Sequence, residues 1–403
     1  MQLNKYINIY LKPTNNNNKN NNNNNKHKKE TPNWILEIAP EVEKLKYKAI
    51  AKVREFLMIK INGLHKPKTN IQIIQQSFLI KFSYLNAFLY KYNSDIAVEI
   101  KQLYIDTISK LFLTYFKLYI TNLSKLQNDQ LVNKTDLMGV AESVFSKNPL
   151  KKKVNCFSYS NVGSGSSKDK LRSSVLFELD APSIIPHVAD QNNTKFSYES
   201  IFRSIQHLLM DTCCSEFIFV AEFFGDFDTI EIMQSIFQKI LLICLDNLQH
   251  YVDTSFDALG LWLLYAISIQ NLFTMKRRQI KILDDYFIKI TTIIWNRFTL
   301  LFDFHVDSLK KINNPSNYTP IDIHPHYITR RYAEFLSSIL SLNVHIENQF
   351  QLLLNNMRNQ IERILIMFAD TLDKKKRTIF LINNYDLILT ILDVLILLFN
   401  LFY

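Results

Sequence analysis

The placement of proline and glycine decides what this sequence can build. Its 403 residues include only 6 Gly and 10 Pro, where average usage would bring roughly 28 Gly. Collagen-like, phosphate-cradling and turn-dense all-β folds need more glycine than this. Gly63, Gly139, Gly163, Gly165, Gly225 and Gly260 are too scattered to write a GxGxxG or GxxxxGK[ST] motif. Dinucleotide and P-loop chemistry are therefore excluded. Residues 68–148, 187–314 and 326–403 contain no proline. Proline breaks helix interiors, so these are the stretches where long helices can run. An all-α protein is expected.

The formal charge of +10 is not spread over the chain. Residues 1–29 hold six Lys and no acid, leaving 41 basic against 37 acidic residues in the rest. The basic balance thus belongs mainly to an Asn/Lys-rich tail. Nucleic-acid binding needs a focused Lys/Arg surface; Lys151–Lys153, Lys276–Arg278 and Lys374–Arg377 are short runs that read as loops or helix ends. No nucleic-acid partner is expected. Cys156, Cys213, Cys214 and Cys244 form no CxxC pair and read as reduced thiols of a cytosolic protein. The start carries no continuous apolar run of the secretory type.

Five segments follow from these patterns. Residues 1–32 form the tail, whose Asn15–Asn25 tract is asparagine except at Lys19 and is expected to be disordered. Residues 33–127 read as a first helical bundle. Within it, Val42, Leu45, Ala49, Val53, Phe56 and Leu57 make one stripe ending near Gly63. A helix then continues from Ile73 to about Tyr92, and another runs from caps at Asn93–Asp95 to Leu126, ~45 Å long at 1.5 Å per residue. Residues 128–195, with the Ser-rich Ser158–Ser174, read as one long irregular connection holding a short extended piece at Val175–Leu179. Residues 196–312 are the middle bundle and 313–403 the C-terminal bundle with an apolar tail.

No pattern of catalytic or metal-ligating residues emerges. HExxH, GxSxG, DxDxDG and zinc spacings are missing. Gly163–Lys168 has the wrong spacing for a phosphate loop and reads as a linker. His324 and His326 lack a local ligand set, and Glu216, Glu222, Asp226 and Asp228 read as residues of helix ends and turns. No enzyme, metal or cofactor is expected. The stretch from His326 to Phe335 is more specific. Ile328, Tyr332, Phe335, Ile339 and Leu342 are spaced 4, 3, 4 and 3, a narrow buried seam. Burying five such side chains contributes on the order of 10 kcal/mol before ordering costs. Arg330, Arg331 and Glu334 lie off the seam, where they serve either ion pairing or a protein-interaction surface.

Several ordered stretches resemble the vacuolar protein sorting-associated protein 52 family. They include Lys52–Leu57, Lys66–Asn70, Tyr104–Lys110, Asp136–Val140, Ala181-Pro182 with Pro186-His187, Phe202–Ser204, Glu222–Phe224, Pro325–Phe335 and Phe380–Asp386. The resemblance implies elongated stacks of helical bundles with no active site, in a subunit of the GARP and EARP tethering complexes. These capture endosome-derived vesicles at the trans-Golgi network and promote SNARE assembly. It also implies sister subunits, syntaxin-type SNAREs and a Golgi Rab-type GTPase as partners, and, through those partners, peripheral association with the cytosolic face of trans-Golgi and endosomal membranes. The alternative is a truncated helical module that binds a SNARE or GTPase outside the complex. Two departures stand out. The Asn-rich tail occupies the place of the family's N-terminal coiled coil, and Leu387–Tyr403 forms an apolar end. Seventeen helical residues reach only ~26 Å against a ~30 Å hydrocarbon core, and Asp393 opposes insertion. The apolar end is not read as an anchor.

Overall fold

The computed structural model describes residues 33–66, 70–128, 132–140, 157–158, 172–315, 318, 321–342 and 348–402. The Asn15–Asn25 tract, Lys151–Lys153, Cys156 and Gly163–Lys168 lie outside the described residues. The all-α expectation is met: the only β feature among the described residues is an isolated parallel bridge from Gln127 to Phe196. In chain order the α-helices are α1 Asn33–Asn62, α2 Ile71–Ser77, α3 Ser83–Tyr92, α4 Ser94–Lys125, α5 Pro186–Gln191 and α6 Tyr198–Phe224. They continue as α7 Asp226–Thr254, α8 Ala258–Arg277, α9 Asp284–Lys310, α10 Tyr327–Leu340, α11 Asn348–Ala369 and α12 Lys374–Phe402.

The long helix expected after Asn93 is present as α4, with the Asn93 side chain accepting from the Ile96 N–H at 3.2 Å. Gly225, at φ 93°, separates α6 from α7 in a conformation that other residues rarely adopt. Two expectations are corrected. The run from Ile73 to Tyr92 breaks at Phe78 into α2, a 3₁₀ turn and α3. There Phe78 and Phe82 pack at 5.0 Å from each other, and Phe82 lies 5.0 Å from Phe56 of α1, so ring packing outweighs helix continuity. Val175–Leu179 is not extended: Arg172–Leu176 is a 3₁₀ helix followed by turns. The Glu178 and Ala181 carbonyls accept from Arg203 Nη1 at 3.0 and 2.7 Å instead of pairing with a strand.

The chain divides into two compact units, Met1–Leu111 with Ile218–Ile232, and Phe112–Phe217 with Met233–Tyr403. In the first, Ile50, Leu57 and Ile61 of α1 are buried, as are Leu79, Leu89, Ile100, Phe219 and Phe223. The Tyr104 ring lies 5.4 Å from Phe219 and 5.2 Å from Phe224, while its hydroxyl accepts from Gln75 at 2.7 Å. Arg54 of α1 binds Glu99 of α4 through two hydrogen bonds of 2.7 and 2.5 Å.

In the second unit, α8 packs chiefly against α9. It is long and apolar enough to cross a membrane, yet 67% of its apolar window is buried inside the protein. A helix that is hydrophobic all round needs such surroundings. Trp262 anchors this core at 1% exposure. Its ring lies 5.2 Å from Phe298 and 4.7 Å from Phe350, and its Nε1 donates to the Ile339 carbonyl at 3.1 Å. Truncating it removes both the packing and the donor. Trp262→Ala is expected to destabilise the protein by about 4 kcal/mol, read as a lowered midpoint of chemical denaturation.

Candidate interaction surface

The seam residues Ile328, Tyr332, Phe335, Ile339 and Leu342 are all buried, at 0 to 6% exposure. Helix α10 starts where the His326 Nδ1 accepts from the Ile328 N–H at 3.3 Å. His326 is thus a helix cap, while His324 is exposed and lies 3.9 Å from Asp322. Arg330 is exposed and donates from Nε to Glu334 at 3.0 Å, one turn along the same helix. An exposed pair of this kind contributes about 0–1 kcal/mol.

Arg331 corrects the expectation of a three-residue surface, because it is 8% exposed. Its guanidinium lies 4.7 Å from the Tyr327 ring centre and 5.2 Å from that of Phe157. Nη1 donates to the carbonyls of Met138 at 3.2 Å and Val140 at 2.6 Å. The buried face of α10 is wider than the seam and includes Thr329, Ala333 and Ser338. A charged residue off the seam still falls inside it because backbone carbonyls supply acceptors.

The segment that Arg331 holds is the Asp136–Val140 stretch. The Met138 N–H donates to His305 Nδ1 at 3.2 Å and the Gly139 N–H to Ser308 Oγ at 3.0 Å. A Cβ on Gly139 would stand 2.4 Å from the Ser308 carbonyl oxygen, so this approach requires glycine. Burial, reinforced by the Arg331 charge, lowers the His305 pKa to about 4. The imidazole is therefore neutral at pH 7, which its acceptor role demands.

The other stretches that carry the family resemblance also make buried and half-buried polar contacts. Asn384 of α12 accepts from the His326 N–H at 2.9 Å and from the Thr329 hydroxyl at 2.6 Å. Ser204 Oγ accepts from the Ile184 N–H at 2.7 Å, beside Arg203 on the Glu178 and Ala181 carbonyls. In the first unit, Asn86 donates to the Phe223 carbonyl at 3.1 Å. Asp228, part of the acidic group around Gly225, accepts from the Tyr90 hydroxyl at 2.6 Å. Sequence reasoning had no means to find the carbonyl partners of Arg203 and Asn86, since a backbone carbonyl leaves no mark in sequence.

Residues 106–396 match the family model described as Vps52, C-terminal, and residues 3–89 match the Vps52/Sac2 family coiled-coil model. The chain belongs to the Vps52 family. It is 36% identical over 367 residues to vacuolar protein sorting-associated protein 52 A of Arabidopsis thaliana, covering 88% of this chain and 49% of that protein. The Homo sapiens Vps52 homolog is 33% identical over 359 residues, 87% of this chain and 48% of its own length. The Saccharomyces cerevisiae Vps52 is 26% identical over 385 residues, 85% and 59% respectively. The chain spans about half the length of most of the curated Vps52 relatives it matches. No solved structure matches it. The expectation that the coiled-coil region is missing is corrected by the match over residues 3–89, which includes most of the first unit's helices before α4.

Arg331→Ala leaves one buried and one half-buried carbonyl without their donor and is expected to cost about 2–3 kcal/mol. Arg330→Glu should change stability by less than about 1 kcal/mol. Thermal and urea denaturation of the two variants distinguishes buried clamp from surface. The depressed pKa of His305 also fixes a pH dependence. The unfolded chain binds a proton near pH 6.5 that the folded one refuses until about pH 4. Stability therefore falls as pH drops through that window, and His305→Asn should flatten part of the slope in urea midpoints measured across it.

Proposed function

We propose that this chain is a non-enzymatic subunit of a multisubunit vesicle-tethering complex of the GARP/EARP type, serving retrograde transport from endosomes to the trans-Golgi network. The observation that supports this reading is the exposed face of α1. Ile38, Val42, Leu45 and Ala49 recur at spacings of 4, 3 and 4. Ile38 is 40% and Leu45 65% exposed, and Ile59, two heptads beyond Leu45, is 61% exposed. None of residues 37–49 is buried. A helix whose apolar heptad seam is left exposed among the described residues is stabilised by a second helix laid along that seam. The match of residues 3–89 to the family's coiled-coil model supports sister-subunit helices as that cover.

On this reading the complex sits peripherally on the cytosolic face of trans-Golgi and endosomal membranes and promotes SNARE-mediated fusion. Syntaxin-type SNAREs and a Golgi Rab-type GTPase are its further partners. The exposed Arg330 and half-buried Glu334 on α10 are a second protein contact.

The test is affinity capture of the tagged chain from its own cells. Ile38→Asp with Leu45→Asp should abolish recovery of sister subunits while leaving the denaturation midpoint unchanged. Arg330→Glu should weaken capture of one partner without affecting stability. Recovery of a SNARE or GTPase with no sister subunit in the unaltered chain would replace this reading by the isolated-module alternative.

A further inference from the structure

The Lys276–Arg278 run takes no part in the contacts above. It forms, with Lys281, the tip of the α8–α9 hairpin, where four cations fall within six residues that include no acid. Lys276, Arg277, Arg278, Gln279 and Lys281 are all exposed. Arg278 alone has an acidic partner, Asp211 at 3.7 Å, and also reaches Cys214 Sγ at 3.3 Å. Arg277 donates to the Thr274 hydroxyl at 3.4 Å. Among the described residues no ion pair involves Lys276, Arg277 or Lys281. Asp180 also acts on Arg278, and Asp284 and Asp285 lie in the first turn of α9, where the helix dipole favours them.

Cations at the end of α8 also suit the dipole of that helix. Two facts go beyond that role. Lys281 lies past the helix end. Phe273, one turn before the tip on α8, is 58% exposed, and Ile288, one turn after the start of α9, is 52% exposed. Exposed apolar side chains next to unpaired cations suit a surface that is anionic outside and apolar beneath. Ile288 offers nothing to a nucleic acid, which would stack on an aromatic ring alone.

We propose that the tip of the α8–α9 hairpin contacts an anionic lipid surface directly. The contact rests on charge complementarity, with Lys276, Arg277 and Lys281 facing lipid phosphates and carboxylates and Phe273 entering the interface. It is additional to the membrane association through partners described above, and a chain that failed to join any complex would still show it.

The test is co-sedimentation of the full chain with phosphatidylcholine vesicles, with and without phosphatidylserine, at about 0.1 M salt. Binding should require phosphatidylserine and fall with rising salt. Arg277→Glu with Lys281→Glu should weaken it by at least about 25-fold, counting about fivefold per cation. Phe273→Ser should weaken it several-fold with the charge unchanged, and Arg277→Gln with Lys281→Gln provides a milder pair in case charge reversal perturbs folding. Melting curves establish that each variant is folded. Binding unaffected by these substitutions would assign the attraction to the Lys-rich residues 1–29 and overturn the proposal. Equal binding to pure phosphatidylcholine, or tighter binding of a single-stranded oligonucleotide through the same residues, would overturn it too.

Discussion

An all-α protein with long irregular connections must find hydrogen-bond donors for carbonyl groups that no strand will pair, and arginine supplies them here. Arg331 takes the Met138 and Val140 carbonyls, and Arg203 takes those of Glu178, Ala181 and Pro182. Arg363 of α11 donates to Leu309 at 3.0 Å and Ile312 at 3.2 Å, at the carboxyl end of α9. Arg297 donates to the Ser255 carbonyl at 2.9 Å, just past the end of α7. A buried carbonyl without a donor costs about 1–3 kcal/mol. The guanidinium carries five donors in a flat fork, so one side chain can serve several carbonyls. The helices of the second unit can then pack against one another because the segments between them are satisfied from within that unit.

Arg172 applies the same logic to carboxylates. It donates to Glu199, at the start of α6, and at 2.6 Å to Asp257, whose other oxygen accepts from the Gly260 N–H at 2.9 Å and caps α8. Burial opposes the charge on Glu199, yet its pKa remains below the usual range because the Arg172 charge and hydrogen bond outweigh that effect. The pair is thus held ionised where an isolated carboxylate would be protonated. The start of two helices is fixed through one residue of the irregular connection.

These clamps mark the boundary of what the sequence discloses. Helix positions follow from proline spacing and apolar periodicity because both act along the chain, and α4 and the α10 seam appear where those patterns put them. Arg331 was unreadable for the opposite reason. Its partners lie almost 200 residues away and are backbone atoms, the same for every residue type. The break at Phe78 and the turn at Val175–Leu179 fail in the same way, since each is decided by a ring or guanidinium distant in sequence.

The stretches that link this chain to the Vps52 family are largely these internal contacts. Pro325–Phe335 binds both Asp136–Val140 and Phe380–Asp386 inside the second unit, and Phe202–Ser204 binds the connection from Glu178 to Ile184. Family likeness at such positions therefore reports the fold, and recognition has to be sought on faces with no internal task. Magnitudes separate those faces. The Arg330–Glu334 pair joins two residues of the same helix and contributes about 0–1 kcal/mol, so a partner's charge displaces it at little cost. Covering Ile38, Leu45 and Ile59 on α1 removes three large apolar side chains from water, at ~1.5–3 kcal/mol for each one fully covered. On our reading, assembly draws its affinity from the apolar seam, while the ion pair on α10 sets which partner fits.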